Sequence, residues 1–214
     1  MDLVIVGAGG FGREVFQHAL DARKAGAPLD VIGFLDDRPD ALEGFDLPVG
    51  VLGSFNDERY LSSRVVIALG DQAERLRLRE AVSAVGGELV SVIHPTAYVA
   101  ESSRLGVGLV IGPGVYIGIN ASVGDNAAFN VYSSVGHDAM VGRDGVLSSY
   151  SAVTGSCAVG DGVFTGTHVT ISPGVTVGGW SKVAAGSVVT RDCPPGSLLV
   201  GNPAKGRVMF PVSS

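Results

Sequence analysis

An apolar side chain returns at every sixth position from Ile93 to Val189. Of these 17 positions, 15 carry Ile, Leu or Val, and only Phe129 and Thr165 depart from the pattern. Gly often follows the periodic residue, as Gly136 does, and the residue two places before it is mostly Ala, Ser, Cys or Val. This hexapeptide period is typical of a parallel β-helix, in which three units make one coil of 18 residues.

A six-residue unit places one bulky residue inward on a short strand, a small residue beside it and a glycine where the chain turns. Each coil buries its interior only against the neighbouring coils, so the stack needs every rung and a cap at each end. A β-sandwich would instead show period-two runs between turns of variable length. The repeat therefore predicts a three-sided prism, closed by a cap that contains a strand over residues 197–200.

The first 88 residues have a different pattern, that of strands alternating with helices. Residues 3–6 form a continuous apolar run, and the glycine-rich turn from Gly7 to Gly12 leads into a helix expected to begin near Arg13. Such a turn directs backbone N–H groups and a helix N-terminus at a phosphate. The remaining predicted elements are strands at 31–35 and 65–69 and a helix at 72–85. We predict a small doubly wound α/β domain of three or four parallel strands over residues 1–88, followed by the β-helix domain over 89–214.

The ligand of the glycine turn stays open at this point. Gly7, Gly9 and Gly12 fit the pattern GxGxxG, and Asp36 after the second strand could bind the ribose of a dinucleotide. However, fewer than 90 residues are too few for a complete dinucleotide domain. Another nucleotide is the favoured ligand, with NAD binding and a purely structural turn as alternatives.

Composition argues against several classes of function. The net charge of −6 and an isoelectric point near 5.1, without a Lys or Arg cluster, argue against nucleic-acid binding. Cys157 and Cys193 have no CxxC partner, which suits a reducing compartment. The N-terminus resembles a strand more than a signal peptide, and no apolar run reaches membrane-spanning length. We expect a cytoplasmic protein without membrane insertion.

Three histidines fall in the repeat. His94, His137 and His168 are separated by 43 and 31 residues, neither close to a multiple of 18, so we expect no shared metal site within one chain. His137 follows the corner residue Gly136 and precedes Asp138. A neutral imidazole with a neighbouring carboxylate can act as a general base near pH 7. The alternative is a solvated corner histidine, and His94 and His168 are interpreted as structural.

Several motifs together carry a family resemblance. They are the glycine turn at 7–12, Phe34-Leu35-Asp36-Asp37, Ala68-Leu69-Gly70, the hexapeptide array, Ser-Val-Gly-His-Asp at 134–138 and Gly-Asn-Pro-Ala-Lys at 201–205. The sequence resembles the bacterial sugar acyltransferases of the sialic acid O-acetyltransferase type over residues 3 to about 207. This family includes N-acetyltransferases that act on nucleotide-linked 4-amino-4,6-dideoxy sugars.

The resemblance implies a Rossmann-like nucleotide-sugar domain and a left-handed parallel β-helix, assembled as a homotrimer with active sites between neighbouring prisms. Acetyl-CoA would lie in the groove between two subunits. His137 matches the general base of the family and Asp138 the acid beside it. The resemblance further implies substrate binding by Gly9, Gly10, Asp36, Asp37, Arg38, Gly70 and Asn130, and coenzyme binding by Gly155 and Lys205.

Other functions stay open alongside N-acetylation of a nucleotide-linked amino sugar. The same histidine could serve an O-acetyltransferase acting on a sugar hydroxyl such as that of sialic acid. A non-catalytic nucleotide-sugar-binding subunit and an NAD-linked enzyme are further alternatives. The chain differs from many relatives at Asp71, where they carry Asn, and at residues 146–150, so contacts at those positions are not carried over. Nothing in the sequence identifies the nucleotide base, the acylated sugar position or the length of the acyl chain.

Overall fold

A computed structural model describes residues 2–210 of the chain. Met1 and residues 211–214, the end of the predicted second domain, lie outside the described residues. Within this range, every helix is too short or too polar to cross a lipid bilayer.

The N-terminal part is an α/β unit built on one parallel sheet. Its elements are β1 Asp2–Val6, α1 Gly10–Lys24, β2 Asp30–Leu35, β3 Val51–Gly53, α2 Glu58–Leu61, β4 Arg64–Ile67, α3 Gln72–Ala84 and β5 Glu88–Leu89. The strand order is β3-β2-β1-β4-β5, and all four pairings are parallel. The prediction of three or four strands was therefore too low, because the short edge strands β3 and β5 acquire strand structure only by pairing with β2 and β4.

The glycine turn after β1 is fixed by close backbone approaches. Gly7 adopts φ +110°, and a Cβ added there would lie 2.7 Å from the carbonyl oxygen of Ala68. A Cβ at Gly12 would overlap the carbonyl of Gly7. Helix α1 begins at Gly10, three residues before the predicted start, because the tight turn continues directly into the first helical turn.

The hexapeptide array forms a left-handed parallel β-helix, as predicted. Each of its two-residue strands ends on one of the periodic apolar residues. These strands are β6 Val92–Ile93, β7 Tyr98–Val99, β8 Arg104–Leu105, β9 Val110–Ile111, β10 Tyr116–Ile117, β11 Ser122–Val123, β12 Ala128–Phe129, β13 Ser134–Val135, β14 Met140–Val141, β15 Val146–Leu147, β16 Ala152–Val153, β17 Ala158–Val159, β18 Phe164–Thr165, β19 Thr170–Ile171, β20 Thr176–Val177, β21 Lys182–Val183 and β22 Val188–Val189. Every strand pairs in parallel with the strand 18 residues further on, until the cap.

The prism has three faces and three corners, which we name for the rest of the article. The docked face contains β6, β9, β12, β15, β18 and β21; the second face runs from β7 to β22 and the third from β8 to β20. The histidine corner joins the second and third faces and contains His137. The asparagine corner joins the third and docked faces and contains Asn126. The aromatic corner joins the docked and second faces and contains Tyr132, Tyr150 and His168.

The α/β unit packs on the docked face. Helix α1 contributes Val15, Phe16 and Ala19 to an apolar cluster that includes the outward side chains Val110 and Ala128 of that face. This buries side chains that a free β-helix would expose to water, and apolar burial contributes about 25 cal/mol per Å². The two parts therefore share one interface, and the histidine corner is the vertex opposite that interface.

A β-hairpin closes the upper end of the prism. The predicted strand at 197–200 is confirmed as β23 Ser197–Gly201, which pairs in parallel with β21 and antiparallel with β24 Ala204–Val208. Leu199 is buried on the end of the prism core. The hairpin thus supplies the cap that a stack of coils needs at its end.

Candidate active site

His137 stands at the histidine corner, held by the residue that follows it. The Nδ1 atom of His137 lies 2.8 Å from Oδ2 of Asp138. Asp138 adopts φ +57°, a left-handed conformation that folds its carboxylate back toward the ring. Because the carboxylate accepts the Nδ1–H, the Nε2 atom is left as the proton acceptor. Both side chains are more than half exposed, so the corner is open to a ligand.

Asp138 is itself held by the coil below. The Nδ2 group of Asn120, 18 residues earlier, donates to Oδ1 of Asp138 at 3.0 Å. The hydrogen bond with His137, and then that with Asn120, lower the pKa of Asp138 below its ordinary value. The carboxylate is therefore charged at neutral pH and favours the Nδ1–H tautomer of His137. Sequence analysis missed Asn120, which the 18-residue spacing from Asp138 could have revealed.

Gly155 lies against the imidazole from the coil above. A Cβ added at Gly155 would overlap the Nε2 and Cε1 atoms of His137, so this position has no room for a side chain. Within residues 2–210, the N–H of Gly155 has no hydrogen-bond acceptor. The corner therefore combines a proton acceptor and an unpaired backbone donor on adjacent coils.

The same corner leads upward to a basic cleft at the cap. Above Gly155 the column continues with Pro173 and Arg191, each 18 residues further on. Arg191, Lys205 and Arg207 line a cleft of about 480 Å³ at the upper end of the prism. Three coils at the usual strand spacing of ~4.8 Å place this cleft roughly 14 Å above His137. Sequence analysis identified Lys205 but missed Arg191 and Arg207.

At the α/β unit, Asp36 is buried and holds the glycine turn. Its Oδ2 accepts from the N–H of Ala8 at 2.9 Å, and its Oδ1 accepts from the backbone and side chain of Arg38 at 3.0 and 2.9 Å. Burial would raise the pKa of Asp36, but the hydrogen bonds from Arg38 and Ala8 outweigh it and lower the pKa. Both carboxylate oxygens thus have partners within the chain.

The other predicted substrate residues lie along the same sheet edge. Gly9 precedes α1 and Gly10 begins it, and a Cβ at Gly10 would meet no atom within 4 Å. Gly70 follows β4 with similarly open space around it. Asp37 accepts from the N–H of Phe55 at 3.0 Å. The carboxyl ends of parallel strands, with a helix N-terminus among them, are where open α/β sheets bind ligands.

Asn130 lies at the aromatic corner, beside the docked face. Its Oδ1 atom is buried and has no hydrogen-bond partner within residues 2–210. A buried acceptor without a donor costs free energy, so its presence favours a bound donor at this position. Within one chain, the predicted residues thus form two groups. Asn130 and the glycine turn lie on the docked side, whereas His137, Asp138 and Gly155 lie at the opposite vertex.

Metal ligands are not assembled in the part of the chain that the structure describes. No group of three or more His, Cys, Asp or Glu side chains is placed to hold an ion there. Cys157 is buried, Cys193 is half-buried, and both are free thiols.

Comparison with solved structures identifies the family. A histidine-to-asparagine variant of perosamine N-acetyltransferase from Caulobacter crescentus, in complex with CoA and GDP-perosamine, is 33% identical, with 97% of each chain covered and a TM-score of 0.87. This chain belongs to the family of bacterial sugar acyltransferases. A second solved sugar acyltransferase relative is the acetyltransferase domain of PglB from Neisseria gonorrhoeae in complex with acetyl coenzyme A. It is 28% identical, with 96% of this chain and 98% of that chain covered and a TM-score of 0.86.

Two further matches cover parts of this sugar acyltransferase. The PglD N-terminal domain family matches residues 2–82, which is most of the α/β unit. A protein of Staphylococcus aureus (strain COL) named as an acetyltransferase is 53% identical over 51 residues, 24% of this chain and 26% of its own length. The chain thus spans about a quarter of the length of the curated relatives it matches.

Proposed function

We propose that the protein is an acetyl-CoA-dependent N-acetyltransferase acting on the amino group of a nucleotide-linked 4-amino-4,6-dideoxy sugar. The observation that carries this proposal is the histidine corner, where a carboxylate-held imidazole lies against the unpaired N–H of Gly155. That pair supplies the two functions acyl transfer needs, proton removal from the nucleophile and stabilisation of charge on the carbonyl oxygen.

In the proposed mechanism, Nε2 of His137 takes the proton from the sugar amine as its nitrogen bonds to the acetyl carbonyl carbon. The N–H of Gly155 donates to the carbonyl oxygen as negative charge develops there. The carbon–sulfur bond then breaks, and the protonated His137 returns its proton to the departing sulfur, giving the amide and free CoA thiol. Asp138 keeps the imidazole oriented and stabilises its protonated form throughout.

General-base assistance typically accelerates a reaction about 10² to 10⁴-fold, equivalent to roughly 3 to 5 kcal/mol of barrier. The remaining acceleration must come from holding the amine and the thioester in contact. Positioning of both substrates therefore matters as much as the base.

The nucleotide is proposed to bind at the α/β unit. The N–H groups of Gly9 and Gly10, at the start of α1, would face the diphosphate, and the open space around Gly10 and Gly70 gives it room. Asp37 and Arg38 would contact the base or ribose, with Asp36 holding the turn that presents them. The perosamine enzyme was solved with GDP-perosamine and CoA, which supports a nucleotide amino sugar as the acceptor class.

Acetyl-CoA is proposed to run up the histidine corner. With the thioester beside His137, the pantetheine would pass Gly155 and reach the basic cleft of Lys205, whose positive charge suits the phosphates of the coenzyme. The acetyltransferase domain of PglB, solved with acetyl coenzyme A, supports this coenzyme.

The acceptor and the base then have to come from different subunits. His137 lies at the vertex opposite the docked face, so the nucleotide held by one chain's α/β unit must reach the histidine corner of a neighbour. Exposed apolar side chains on the other two faces, the stacked pair Tyr98–Tyr116 and Met140, support burial of these faces between prisms. We propose a homotrimer with three such shared sites, and its location in the cytoplasm stays a prediction.

A direct test screens acceptors with acetyl-CoA while thiol release is followed. We expect turnover with a nucleotide-linked 4-amino sugar, and the UDP, GDP and dTDP forms identify the base. Turnover only with hydroxyl acceptors would indicate O-acetylation. Stabilisation by nucleotide sugars without any thiol release would indicate a binding subunit. A thermal shift with NAD but none with acetyl-CoA would contradict the proposal altogether.

A further inference from the structure

Arg75 is completely buried between the α/β unit and the prism. It projects from α3 and is the largest fully buried side chain in residues 2–210. Burial lowers its pKa to about 10, with the charge of Asp144 opposing the shift, so the guanidinium is charged at neutral pH. A buried cation that faces no carboxylate directly is retained only where several oxygens accept its N–H groups.

The acceptors of Arg75 lie on both sides of the interface. On the α/β side, Nη1 donates to the carbonyl oxygens of Ile67 and Leu69, at 2.7 and 3.1 Å. On the prism side, Nε donates to the carbonyl of Asn126 at 2.9 Å, and Nη2 donates to the same carbonyl and to Oδ1 of Asn126, the latter at 3.0 Å. Asn126 returns a hydrogen bond from Nδ2 to the carbonyl of Arg75 at 3.0 Å.

The two acceptor groups are parts of the proposed site. Ile67 and Leu69 end β4 and lead directly into Gly70, and the intervening carbonyl of Ala68 is the atom against which Gly7 packs. Asn126 is the corner residue of the coil that continues through Asn130 to His137. One planar guanidinium therefore joins the wall of the nucleotide site to the coil that carries the base.

We propose that Arg75 is a positioning residue that sets where the nucleotide sugar stands relative to the catalytic coil. The proposal rests on the proposed function. Only a planar fork can meet the β4 carbonyls and Asn126 at once, and a lysine ammonium cannot bridge both sets. Misplacing a substrate by about 1 Å can cost on the order of 10²-fold in rate, so loss of the tie should appear in the kinetics of the sugar substrate.

Arg79 offers a matched control. It lies one helical turn further along α3 and binds Asp144 at the same corner, with Nε to Oδ1 at 2.9 Å and Nη2 to Oδ2 at 3.0 Å. It makes no hydrogen bond to the end of β4. Arg79→Gln should therefore lower thermal stability while leaving the sugar kinetics unchanged.

The experiment compares Arg75→Lys and Arg79→Gln in the full-length protein, well below the melting temperature of each. For Arg75→Lys, we expect kcat/KM for the nucleotide sugar to fall about tenfold or more, with KM for acetyl-CoA within roughly twofold of wild type. Should Arg75→Lys fold poorly, Asn126→Gly tests the same tie, because glycine accepts the φ of +56° at this corner. Equal sugar kinetics in wild type and a folded tie variant would overturn the proposal and leave the proposed function standing.

If the wild-type protein acetylates no nucleotide amino sugar, the proposed function fails, and hydrogen exchange decides the positioning role instead. Amides of residues 68–71 and of the glycine turn should then exchange about tenfold faster in Arg75→Lys than in Arg79→Gln. Equal exchange in the two variants would overturn the positioning role.

Discussion

The histidine and asparagine corners use the same pair of side chains for different purposes. At each, an asparagine donates its amide to an aspartate 18 residues later: Asn120 to Asp138 at 3.0 Å and Asn126 to Asp144 at 2.8 Å. The two aspartates have nearly equal φ angles, +57° and +59°. Yet Asp138 is half exposed, whereas Asp144 is buried under α3.

The difference lies in what covers each corner. At the asparagine corner, Arg75 and Arg79 occupy the polar groups, so the pair anchors one domain to the other. At the histidine corner no helix intervenes, and Asp138 is left to orient an imidazole. A repeat protein can thus give the same turn a structural or a chemical role according to its cover, and substitutions at the two corners should separate these roles.

Removing the imidazole should have the largest effect on activity. We expect His137→Ala to lower kcat about 10² to 10⁴-fold, because the amine loses its proton acceptor. The dissociation constant for acetyl-CoA should stay near that of wild type, measured by calorimetry. His168→Ala, at the aromatic corner, is the matched control and should retain activity. Full activity of His137→Ala on an accepted sugar would refute its role as the base.

The same substitution at the two aspartates sharpens the comparison. We expect Asp138→Asn to lower kcat about 10 to 10²-fold, since the amide no longer fixes the tautomer of His137, with little change in melting temperature. Asp144→Asn leaves Arg79 without its partner and should destabilise the fold by about 3 kcal/mol, with kcat largely retained. Chemical denaturation and steady-state rates measure both. Equal losses of activity in the two variants would contradict the assigned roles.

The lowered pKa of Asp138 predicts the pH dependence of its contribution. Its charged form is favoured in the folded protein, so the stabilisation it gives is present above its unfolded pKa and is lost as pH falls through the lower folded value. Above about pH 5, therefore, Asp138 should cause no change in kcat. A titration of Asp138 near neutrality, observed by NMR, would contradict this assignment.

Filling the space at Gly155 should have an intermediate effect. The added Cβ of Gly155→Ala would overlap the imidazole, so the ring must turn away from its position. We expect kcat to fall about tenfold, since the displacement is small and the N–H of residue 155 remains. A changed ¹⁵N shift of the His137 ring should accompany the loss. Unchanged rate and unchanged ring signals would show that the two residues do not act together.

The smallest effect is expected at the basic cleft. Lys205→Ala removes one exposed charge, so KM for acetyl-CoA should rise about threefold and the rise should diminish as salt is added. Lys24→Ala, on α1 of the other domain, is the control and should leave KM unchanged. A rise in KM for the nucleotide sugar instead would place the coenzyme elsewhere.

The fold followed from the sequence wherever structure is set locally. Every strand from β6 to β22 ends on a predicted periodic position, because each hexapeptide meets the same surroundings one coil away. The strands β3 and β5 were missed because three and two residues carry no period, and pairing with β2 and β4 alone defines them.

The candidate site was predictable in kind and less so in its contacts. The spacing around His137 and Asp138 indicated an imidazole–carboxylate pair, and the structure places their atoms 2.8 Å apart. The union of Arg75 with Asn126 spans 51 residues between unlike elements, and no local pattern marks it. A retrospective signal exists in Arg75 and Arg79, spaced by four on a helix, opposite polar residues spaced by 18.

The most direct test of the account mixes two inactive variants. His137→Ala lacks the base, and Gly10→Glu places a carboxylate in the open space proposed for the diphosphate, at a helix start that tolerates an acid. After co-refolding in equal amounts, random trimers should recover roughly a quarter of wild-type activity, since a shared site needs an intact half from each of two subunits. Activity no higher than that of the separate variants, in trimers shown to be mixed, would contradict a site shared between subunits.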